Sequence, residues 1–274
     1  MKLVKDYRTY LLDLDGVFYR GDQPLPGAQA FIAWLDATGR DYRYLSNNSM
    51  ASPTDVAAKL RRMGVPVPDF RVITASQAAI SLLAERWPGG AVWIVGLPPL
   101  RQMAARAGLR VLNLRQSDAV DDLAAGPETA AVVLVGLDRS FTYEGLRLAT
   151  RALLAGAEFL SINHDPQLPV EDGIDPGCGS LAAALQFASR RADSIVGKPA
   201  PTLLLAAMAE MHADPATTLM IGDTVEMDIA AGHAAGIDTL LVLSGLTDAE
   251  HAQTAQPTPT LVMRDLAEVL ATLR

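Results

Sequence analysis

Two carboxylates one residue apart are the clearest indication of chemistry in this sequence. Asp13 and Asp15 follow the apolar run from Tyr10 to Leu12, and Gly16 comes directly after them. This pattern predicts a buried strand that ends at an open site, and side chains two residues apart in a strand point to the same side. Because like charges this close repel each other, we expect either a divalent cation between them or one protonated acid. The alternative is a polar strand end that caps the next turn.

Polar groups also follow apolar runs at three later points. They are Ser46 with Asn47, then Lys198, then Asp223 with Asp228. In open parallel α/β sheets, ligands bind outside the carboxyl ends of the strands. If these strand ends meet, the carboxylates can hold a hard cation such as Mg2+, while a lysine, a hydroxyl and backbone N–H groups hold a phosphoryl group that an aspartate attacks. The set therefore predicts phosphoryl chemistry.

Strand-like runs alternate with alanine-rich amphipathic runs, and this alternation predicts an α/β sheet. The predicted strands are 8–13, 42–46, 91–96, 131–136, 158–162, 193–197, 218–222 and 238–243. The predicted helices include 54–63, 75–86, 145–156, 180–190, 201–211 and 263–273. The interval between Ser46 and Lys198 is far longer than one βα unit needs, and it contains several of these strands. A second folded α/β module is therefore expected within it.

The composition is that of a folded enzyme with room for two domains. The chain has 274 residues, and 50% of them are hydrophobic, which excludes disorder. The formal net charge of −8 argues against a general nucleic-acid binder, although a few local cations suffice for a small phosphorylated substrate. One cysteine permits no internal disulfide and fits a reducing compartment. Neither a signal peptide nor a membrane span is predicted, so a cytoplasmic location is expected.

In this order, the four polar segments resemble the motifs of the haloacid dehalogenase-like hydrolase superfamily, and most closely those of its NagD-like (class IIA) phosphatases. The similarity covers roughly residues 8 to 250. The segments that carry it are Asp13-Leu14-Asp15-Gly16-Val17, Ser46-Asn47-Asn48, Gly197-Lys198-Pro199-Ala200-Pro201, Gly222-Asp223 with Asp228, Leu25-Pro26-Gly27-Ala28, Val135-Gly136-Leu137-Asp138, Leu168-Pro169 and Gly177-Cys178-Gly179-Ser180. The resemblance implies a Rossmann-like parallel-sheet core with a large inserted α/β cap domain. We expect the catalytic core in 1–77 and 186–274, and the cap in 78–185.

The resemblance also implies a role for each motif residue. Asp13 would be the nucleophile that forms an aspartyl-phosphate, and Asp15 the general acid–base that serves the leaving oxygen and then the attacking water. Mg2+ would be bound by Asp13, by the main-chain carbonyl of Asp15 and by Asp223, with Asp228 supporting these ligands through water or a hydrogen bond. The phosphoryl oxygens would be bound by Ser46, Asn47, Lys198 and the N–H of Gly16.

The cap is expected to close over the core and select the substrate. Asn163, Asp165 and Glu171 are the polar positions predicted to contact it. His164 stands where the branch usually has proline, so specificity does not transfer from a characterised relative. The acidic residues in this part of the cap disfavour a substrate that carries a strong negative charge at the end away from its phosphoryl group. Sugar phosphates, glycerol phosphate or nucleoside monophosphates are therefore the expected substrates.

Two alternatives to a phosphomonoesterase follow from the same residues. A phosphotransferase or mutase would pass the phosphoryl group to a sugar, but mutases usually carry a smaller cap soon after the first motif, and the interval from Gly16 to Ser46 is short. A non-catalytic phosphate- or metal-binding protein would not need Asp15.

Relatives often pair through their caps, so a homodimer is expected. Cys178, between two glycines, is expected to be structural.

Overall fold

The computed structural model describes residues 2–48, 52–65, 67–114, 125–170 and 173–273. The strands are β1 (Thr9–Leu12), β2 (Tyr19–Arg20), β3 (Gln23–Pro24), β4 (Asp41–Ser46), β5 (Val72–Thr74), β6 (Ala91–Val95), β7 (Arg110–Val111), β8 (Val132–Val135), β9 (Glu158–Ser161), β10 (Gln167–Val170), β11 (Gly173–Pro176), β12 (Ser194–Ile195), β13 (Thr218–Gly222), β14 (Asp238–Val242) and β15 (Leu261–Met263). The helices are α1 (Ala28–Ala37), α2 (Pro53–Arg62), α3 (Ala75–Arg86), α4 (Pro98–Arg106), α5 (Tyr143–Leu154), α6 (Cys178–Ser189), α7 (Thr202–Met211), α8 (Ala230–Ala234), α9 (Ala249–Thr254) and α10 (Leu266–Ala271).

The chain divides into two compact units. The first consists of Met1–Ser46, Ala51–Thr74 and Lys198–Arg274, and the second of Asn47–Met50 and Ala75–Gly197. Most of the second unit is thus inserted into the sequence of the first. The predicted division into a catalytic core at 1–77 and 186–274 and a cap at 78–185 stays a prediction.

The first unit is built on a six-stranded sheet in which every pair of neighbours is parallel, in the order β15-β14-β13-β1-β4-β5. The central strand β1 pairs with β13 and β4, and Leu12 lies opposite both Ile221 and Tyr44. All residues of β1 are buried, as expected for the interior of a parallel sheet. The carboxyl ends of the neighbouring strands β4, β1 and β13 therefore lie side by side at one end of the sheet.

Aromatic packing holds β1 and the loop that follows it. The ring of Tyr10 packs edge-on against Phe31 and Trp34, with centroids 6.0 Å apart in each pair. Phe18, just past the end of β1, packs edge-on against Tyr44 of β4 at 5.2 Å. Such edge-to-face pairs add stability beyond the burial of their area. The residues between Tyr10 and Phe18, which include both predicted catalytic acids, are thus anchored at each end.

The second unit has its own parallel sheet, in the order β12-β9-β8-β6-β7, and a separate antiparallel hairpin of β10 and β11. Its core packs Trp93, Val133, Phe159 and Leu185 together. A buried ion pair lies in this unit, because Arg101 of α4 donates to Asp138 at 3.1 Å and also to the carbonyl of Gly96. This contact ties the end of β6 to the loop after β8.

The predicted α/β fold class is confirmed, and each of the eight predicted strands overlaps an observed one. The prediction missed β5 and β15, which form the two edges of the first sheet. Each has three residues, too few to show a periodic pattern. None of the helices in the described part of the chain combines the length and the apolar character needed to cross a bilayer.

Candidate active site

A lysine and three buried carboxylates form one cluster in the first unit. The ammonium of Lys198 donates to Oδ1 of Asp228 at 2.6 Å and also to Oδ1 of Asp13. The side chains of Lys198 and Asp228 are 3% and 2% exposed. Carboxylate oxygens of Asp13, Asp223 and Asp228 lie within 4.8 Å of one another. The structure thus brings together residues predicted from the first, third and fourth motifs.

The sheet and one helical turn place these acids. Asp13 extends β1 by one residue, because its N–H donates to the carbonyl of Ile221 at 2.9 Å. Asp223 comes directly after β13, and Asp228 lies in a turn of π-helix, Val225–Ile229. Oδ2 of Asp228 accepts the N–H of Asp223 at 3.2 Å and that of Thr224 at 3.1 Å. Asp228 therefore uses one oxygen for Lys198 and the other to close the loop that carries Asp223.

The cluster contains more negative than positive charge. Burial raises the pKa of Asp13 well above its usual range; the Lys198 ammonium lowers it, and the carboxylates of Asp228 and Asp223 add to the rise. Burial also raises the pKa of Asp223, and Asp228 adds to this. Burial by itself lowers the pKa of Lys198, but Asp13 and Asp228 outweigh it and hold this pKa above its ordinary value. With all three acids ionised, three carboxylates and one ammonium would give the cluster an excess of buried negative charge, and the raised pKa values reflect the cost of this excess.

This excess and the type of donor fit a hard divalent cation. Such ions bind carboxylate oxygens, and a bound cation reverses the mutual repulsion of the acids. Asp13 and Asp223 are well placed as ligands, because each follows the end of its own strand, β1 or β13, and these strands are neighbours. Asp228 has both of its oxygens engaged by protein donors, which suits a supporting role.

The loop after β14 holds Asp223 from the other side. The N–H of Leu246 donates to Oδ2 of Asp223 at 2.7 Å. A Cβ on either Gly16 or Gly245 would overlap this same oxygen, and Gly16 also has a φ of +78°. This loop contributes no acid or cation to the cluster, so the local sequence pattern does not reveal its role. The signal that could have found it is Ser244-Gly245, which follows the predicted strand 238–243.

Asp15 lies in the turn between β1 and β2. Its carboxylate accepts the hydroxyl of Tyr19 at 3.2 Å, and the N–H of Gly16 donates to the carbonyl of Tyr19 at 2.8 Å. Although Asp15 is exposed, desolvation by the surrounding protein raises its pKa, opposed by Lys59 and by the Tyr19 hydroxyl. Gly16 makes the predicted turn, but its N–H is occupied by Tyr19. Its predicted phosphate contact stays a prediction that requires this bond to open.

Ser46 and Asn47 belong to different units. Ser46 ends β4, beside β1, and is 8% exposed. Asn47 lies in the second unit, where its carbonyl accepts the side-chain amide of Asn163 at 2.9 Å. The N–H of Asp165 in turn donates to Oδ1 of Asn163 at 3.3 Å. Asn47, Asn163 and Asp165 are thus linked within the second unit, and Glu171 lies outside the described residues.

Asp193 organises the loop around His164 in the second unit. It accepts a hydrogen bond from the Ser161 hydroxyl and from Gln186, and its Oδ2 lies 2.7 Å from Nε2 of His164. The side chain of Asp193 is 1% exposed, and that of His164 is 37% exposed. The sequence gives no functional signal for Asp193, since it is a single acid at the start of the predicted strand 193–197.

Cys178 is buried at the start of α6, and its Sγ donates to the carbonyl of Val135 at 3.4 Å. Burial raises the pKa of its thiol to about 11. A thiol that stays protonated and bonded to the backbone suits a packing role, which is the role predicted for it.

Known proteins resemble this chain over nearly its whole length. The model of the haloacid dehalogenase-like hydrolases matches residues 10–110, and a HAD-hydrolase-like model matches 195–269. An acid sugar phosphatase of Staphylococcus aureus is 33% identical over 270 residues, which are 98% of this chain and 99% of that protein. The chain therefore belongs to the haloacid dehalogenase-like hydrolases, in their NagD-like phosphatase branch.

Solved structures agree with this assignment. A 4-nitrophenylphosphatase from Thermotoga maritima superposes with a TM-score of 0.87 at 28% identity, covering 100% of both chains. A glycerol phosphate phosphatase from Mycobacterium tuberculosis, in complex with calcium, has a TM-score of 0.85 and 33% identity, covering 97% of this chain and 75% of that one. The predicted enzyme class, a phosphoric monoester hydrolase, is confirmed.

Proposed function

We propose that this phosphatase hydrolyses sugar phosphates, glycerol phosphate or nucleoside monophosphates, with Mg2+ and through an aspartyl-phosphate on Asp13. The observation that carries the proposal is the buried cluster in which Lys198 bonds both Asp13 and Asp228, next to Asp223. This arrangement supplies a nucleophile, a cation and metal ligands at one sheet edge. The names of two relatives, an acid sugar phosphatase and a glycerol phosphate phosphatase, support the substrate class.

Two aspartates carry the covalent steps. A carboxylate oxygen of Asp13 attacks phosphorus; as the bond from phosphorus to the leaving oxygen breaks, Asp15 gives that oxygen a proton. Asp15, now a carboxylate, takes a proton from water, and the resulting hydroxide attacks phosphorus and releases the Asp13 carboxylate with inorganic phosphate. Two easier displacements thus replace one difficult step. The exposure of Asp15 suits a group that must reach both the leaving oxygen and water.

Charge compensation is the task of the remaining core residues. Lys198 balances the charge of Asp13 and of the phosphoryl oxygens, with Ser46 and Asn47 as hydrogen-bond donors. Asp13, Asp223 and the main-chain carbonyl of Asp15 would hold Mg2+, while Asp228 fixes the Asp223 loop and Lys198. When bound there, the ion would neutralise phosphoryl charge, which would make an anionic nucleophile and an anionic substrate compatible.

The second unit selects the substrate in this proposal, as the cap of the family would. Asn163 and Asp165, linked to each other and through Asn163 to Asn47, are the proposed specificity positions, together with Glu171. The acidic side chain of Asp165 disfavours a substrate with a second strong anion. Pairing of two copies through this unit also stays a prediction.

The test measures phosphate release from a panel of phosphomonoesters, with Mg2+ and with EDTA. Glucose 6-phosphate, glycerol 3-phosphate and AMP represent the proposed class, and pyridoxal phosphate and phosphoglycolate the competing one. We expect metal-dependent release, and a loss of about 10³-fold or more in kcat for Asp13→Asn. The matched control is Asp41→Asn. Asp41 is the first residue of β4 and so lies at the amino end of the strand, away from the carboxyl ends that carry the cluster. This variant should retain activity.

A second measurement tests the intermediate. Acid quenching during turnover of a 32P-labelled substrate should leave label on the wild-type protein and none on Asp13→Asn. Unlabelled wild-type protein under conditions of rapid turnover would contradict the aspartyl-phosphate. A panel led by pyridoxal phosphate or phosphoglycolate would contradict the proposed substrate class.

A further inference from the structure

Tyr19 is tied to Asp15 by both its side chain and its backbone. Its hydroxyl donates to Oδ2 of Asp15 at 3.2 Å, and its carbonyl accepts the N–H of Gly16 at 2.8 Å. Tyr19 is buried, with 4% of the residue exposed, whereas Asp15 is exposed. A rigid, buried side chain therefore holds one oxygen of a carboxylate that would otherwise sample several rotamers at the surface.

Further contacts fix the position of this hydroxyl. Nζ of Lys59, in α2, lies 3.9 Å from the centroid of the Tyr19 ring, a cation–π contact. The hydroxyl of Ser244 donates to the carbonyl of Gly16 at 2.7 Å, and Arg20 donates to the carbonyl of Ser244 at 2.7 Å. The turn from Asp15 to Arg20 is thus held at two places. Lys59 of α2 contacts the ring of Tyr19, and the loop after β14 bonds the backbone of Gly16 and the side chain of Arg20.

We propose that Tyr19 is a positioning residue for the acid–base step, held in place by Lys59, and that its hydroxyl fixes Asp15 so that one carboxyl oxygen is presented to the leaving group. This inference rests on the proposed function of Asp15. With Oδ2 accepting the tyrosine proton, Oδ1 is the oxygen that carries the transferable proton. That proton passes to the leaving oxygen as the bond between this oxygen and phosphorus breaks, and Oδ1 later takes one from water.

Leaving groups differ in how much they need this proton. An alkoxide is a poor leaving group and must be protonated as it departs, whereas a nitrophenolate is stable as an anion. A misplaced Asp15 should therefore slow the cleavage of an alkyl phosphate much more than that of p-nitrophenyl phosphate. The value of kcat/KM isolates this effect, because it reports the steps up to formation of the aspartyl-phosphate and excludes the hydrolysis that all substrates share.

The experiment compares kcat/KM for glycerol 3-phosphate and p-nitrophenyl phosphate in the wild type and in Tyr19→Phe. We expect the ratio of the two values, alkyl over aryl, to fall about 10-fold, part of the full contribution of a general acid. Lys59→Met should lower the ratio in the same direction and by less. In the background of Asp15→Asn, Tyr19→Phe should have no further effect on the ratio, because both act through one proton transfer.

The matched control is Tyr42→Phe. Tyr42 is also buried in the first unit, and its hydroxyl donates to a carboxylate, that of Asp36, over the same distance of 3.2 Å. This control should cost similar stability in thermal unfolding and leave the ratio unchanged. A Tyr19→Phe enzyme whose two kcat/KM values are unchanged, or fall equally, would overturn the inference. If glycerol 3-phosphate is not cleaved, the alkyl phosphate of the panel that the wild type cleaves fastest takes its place. A wild type that releases phosphate from no phosphomonoester of the panel would overturn the proposed function itself, and this inference with it.

Discussion

The ammonium of Lys198 is almost completely removed from water and bonded to two carboxylates. Removing one partner of a buried ion pair costs far more than removing an exposed one, because the remaining charge has lost its water and gained no substitute. Here the loss would leave three buried acids without their cation. Loss of the lysine proposed for catalysis is thus also expected to destabilise its unit strongly.

Lys198→Met should lower the free energy of unfolding by about 3–5 kcal/mol near neutral pH in EDTA. Urea-induced unfolding, followed by circular dichroism, measures this change. Added Mg2+ should restore part of the loss, because the ion replaces the missing positive charge among the acids.

The control is Lys2→Met in the same unit. Lys2 pairs with Asp238 at 2.9 Å, but the two side chains are 48% and 33% exposed. Exposed pairs contribute at most about 1 kcal/mol. Equal losses for the two variants would show that burial of Lys198 does not have the energetic weight assigned to it.

Sequence reasoning identified the residues whose chemistry is visible locally. Asp13 and Asp223 each follow an apolar run, and β1 and β13 are neighbours, so the shared edge of the sheet brings the two acids together. Tyr19 and Leu246 could not be identified in this way. Tyr19 matters because a tight turn brings its hydroxyl back to Asp15, and the sequence does not show the conformation of that turn. Leu246 matters because its backbone meets Asp223, a contact between distant parts of the chain.

Asp193 connects several elements of the second unit. It accepts hydrogen bonds from Ser161 at the end of β9 and from Gln186 of α6, and it pairs with His164 in the loop after β9. Burial raises the pKa of Asp193, but the bonds from Ser161, His164 and Gln186 outweigh it and hold this pKa below its ordinary value. The carboxylate form is therefore the one that joins these elements.

Asp193→Asn tests this junction through its pH dependence. A folded-state pKa below the unfolded value means that the stabilisation is fully present above the unfolded pKa of about 4 and is lost as pH falls through the folded value. The wild type should therefore be more stable than Asp193→Asn near neutral pH, and the difference should shrink on acidification. Urea unfolding near neutrality and at one pH unit below the ordinary carboxyl value measures both differences.

The comparison variant is Asp175→Asn, since Asp175 makes an exposed pair with Arg139 at 3.5 Å in the same unit. It should change stability by less than about 1 kcal/mol at neutral pH. If the wild type exceeds Asp193→Asn in stability by the same amount at both pH values, the junction does not depend on the carboxylate.

Elements with a start signal or a long apolar run were predictable from the sequence. A helix was expected to start after Ser52-Pro53, and α2 begins at Pro53, with the Ser52 hydroxyl accepting the N–H of Asp55 at 3.2 Å and the Asp55 carboxylate accepting the N–H of Ser52 at 3.0 Å. This is a capping box. The edge strands β5 and β15 are short, and their pairing partners, not their own residues, define them.

At the scale of the whole molecule, the two sheets differ in how the chain supplies their strands. β1, β4 and β5 come before the insertion, and β13, β14 and β15 come after it, with the junction between the two sets at the β1–β13 pair. All five strands of the second sheet come from the continuous stretch 75–197. The sheet of the first unit therefore needs chain segments from before and after the insertion, while the sheet of the second unit needs one continuous segment only.

We expect residues 75–197 expressed alone to fold, with a cooperative thermal transition, because their sheet and hydrophobic core are complete. Residues 1–74 alone should not fold, since β1 lacks β13, and mixing them with residues 198–274 should restore structure. Circular dichroism and size-exclusion chromatography of the three fragments measure this. A folded 1–74 fragment would contradict the dependence of β1 on its partner.

Gly16 and Gly245 offer no functional group, yet both leave room for one oxygen of Asp223. For anyone redesigning this enzyme, the space they leave empty is as much a part of the proposed metal site as the acids are. A mutational library limited to charged positions would overlook them. A methyl group at either glycine would press on that carboxylate while leaving every proposed metal-binding acid in the sequence intact.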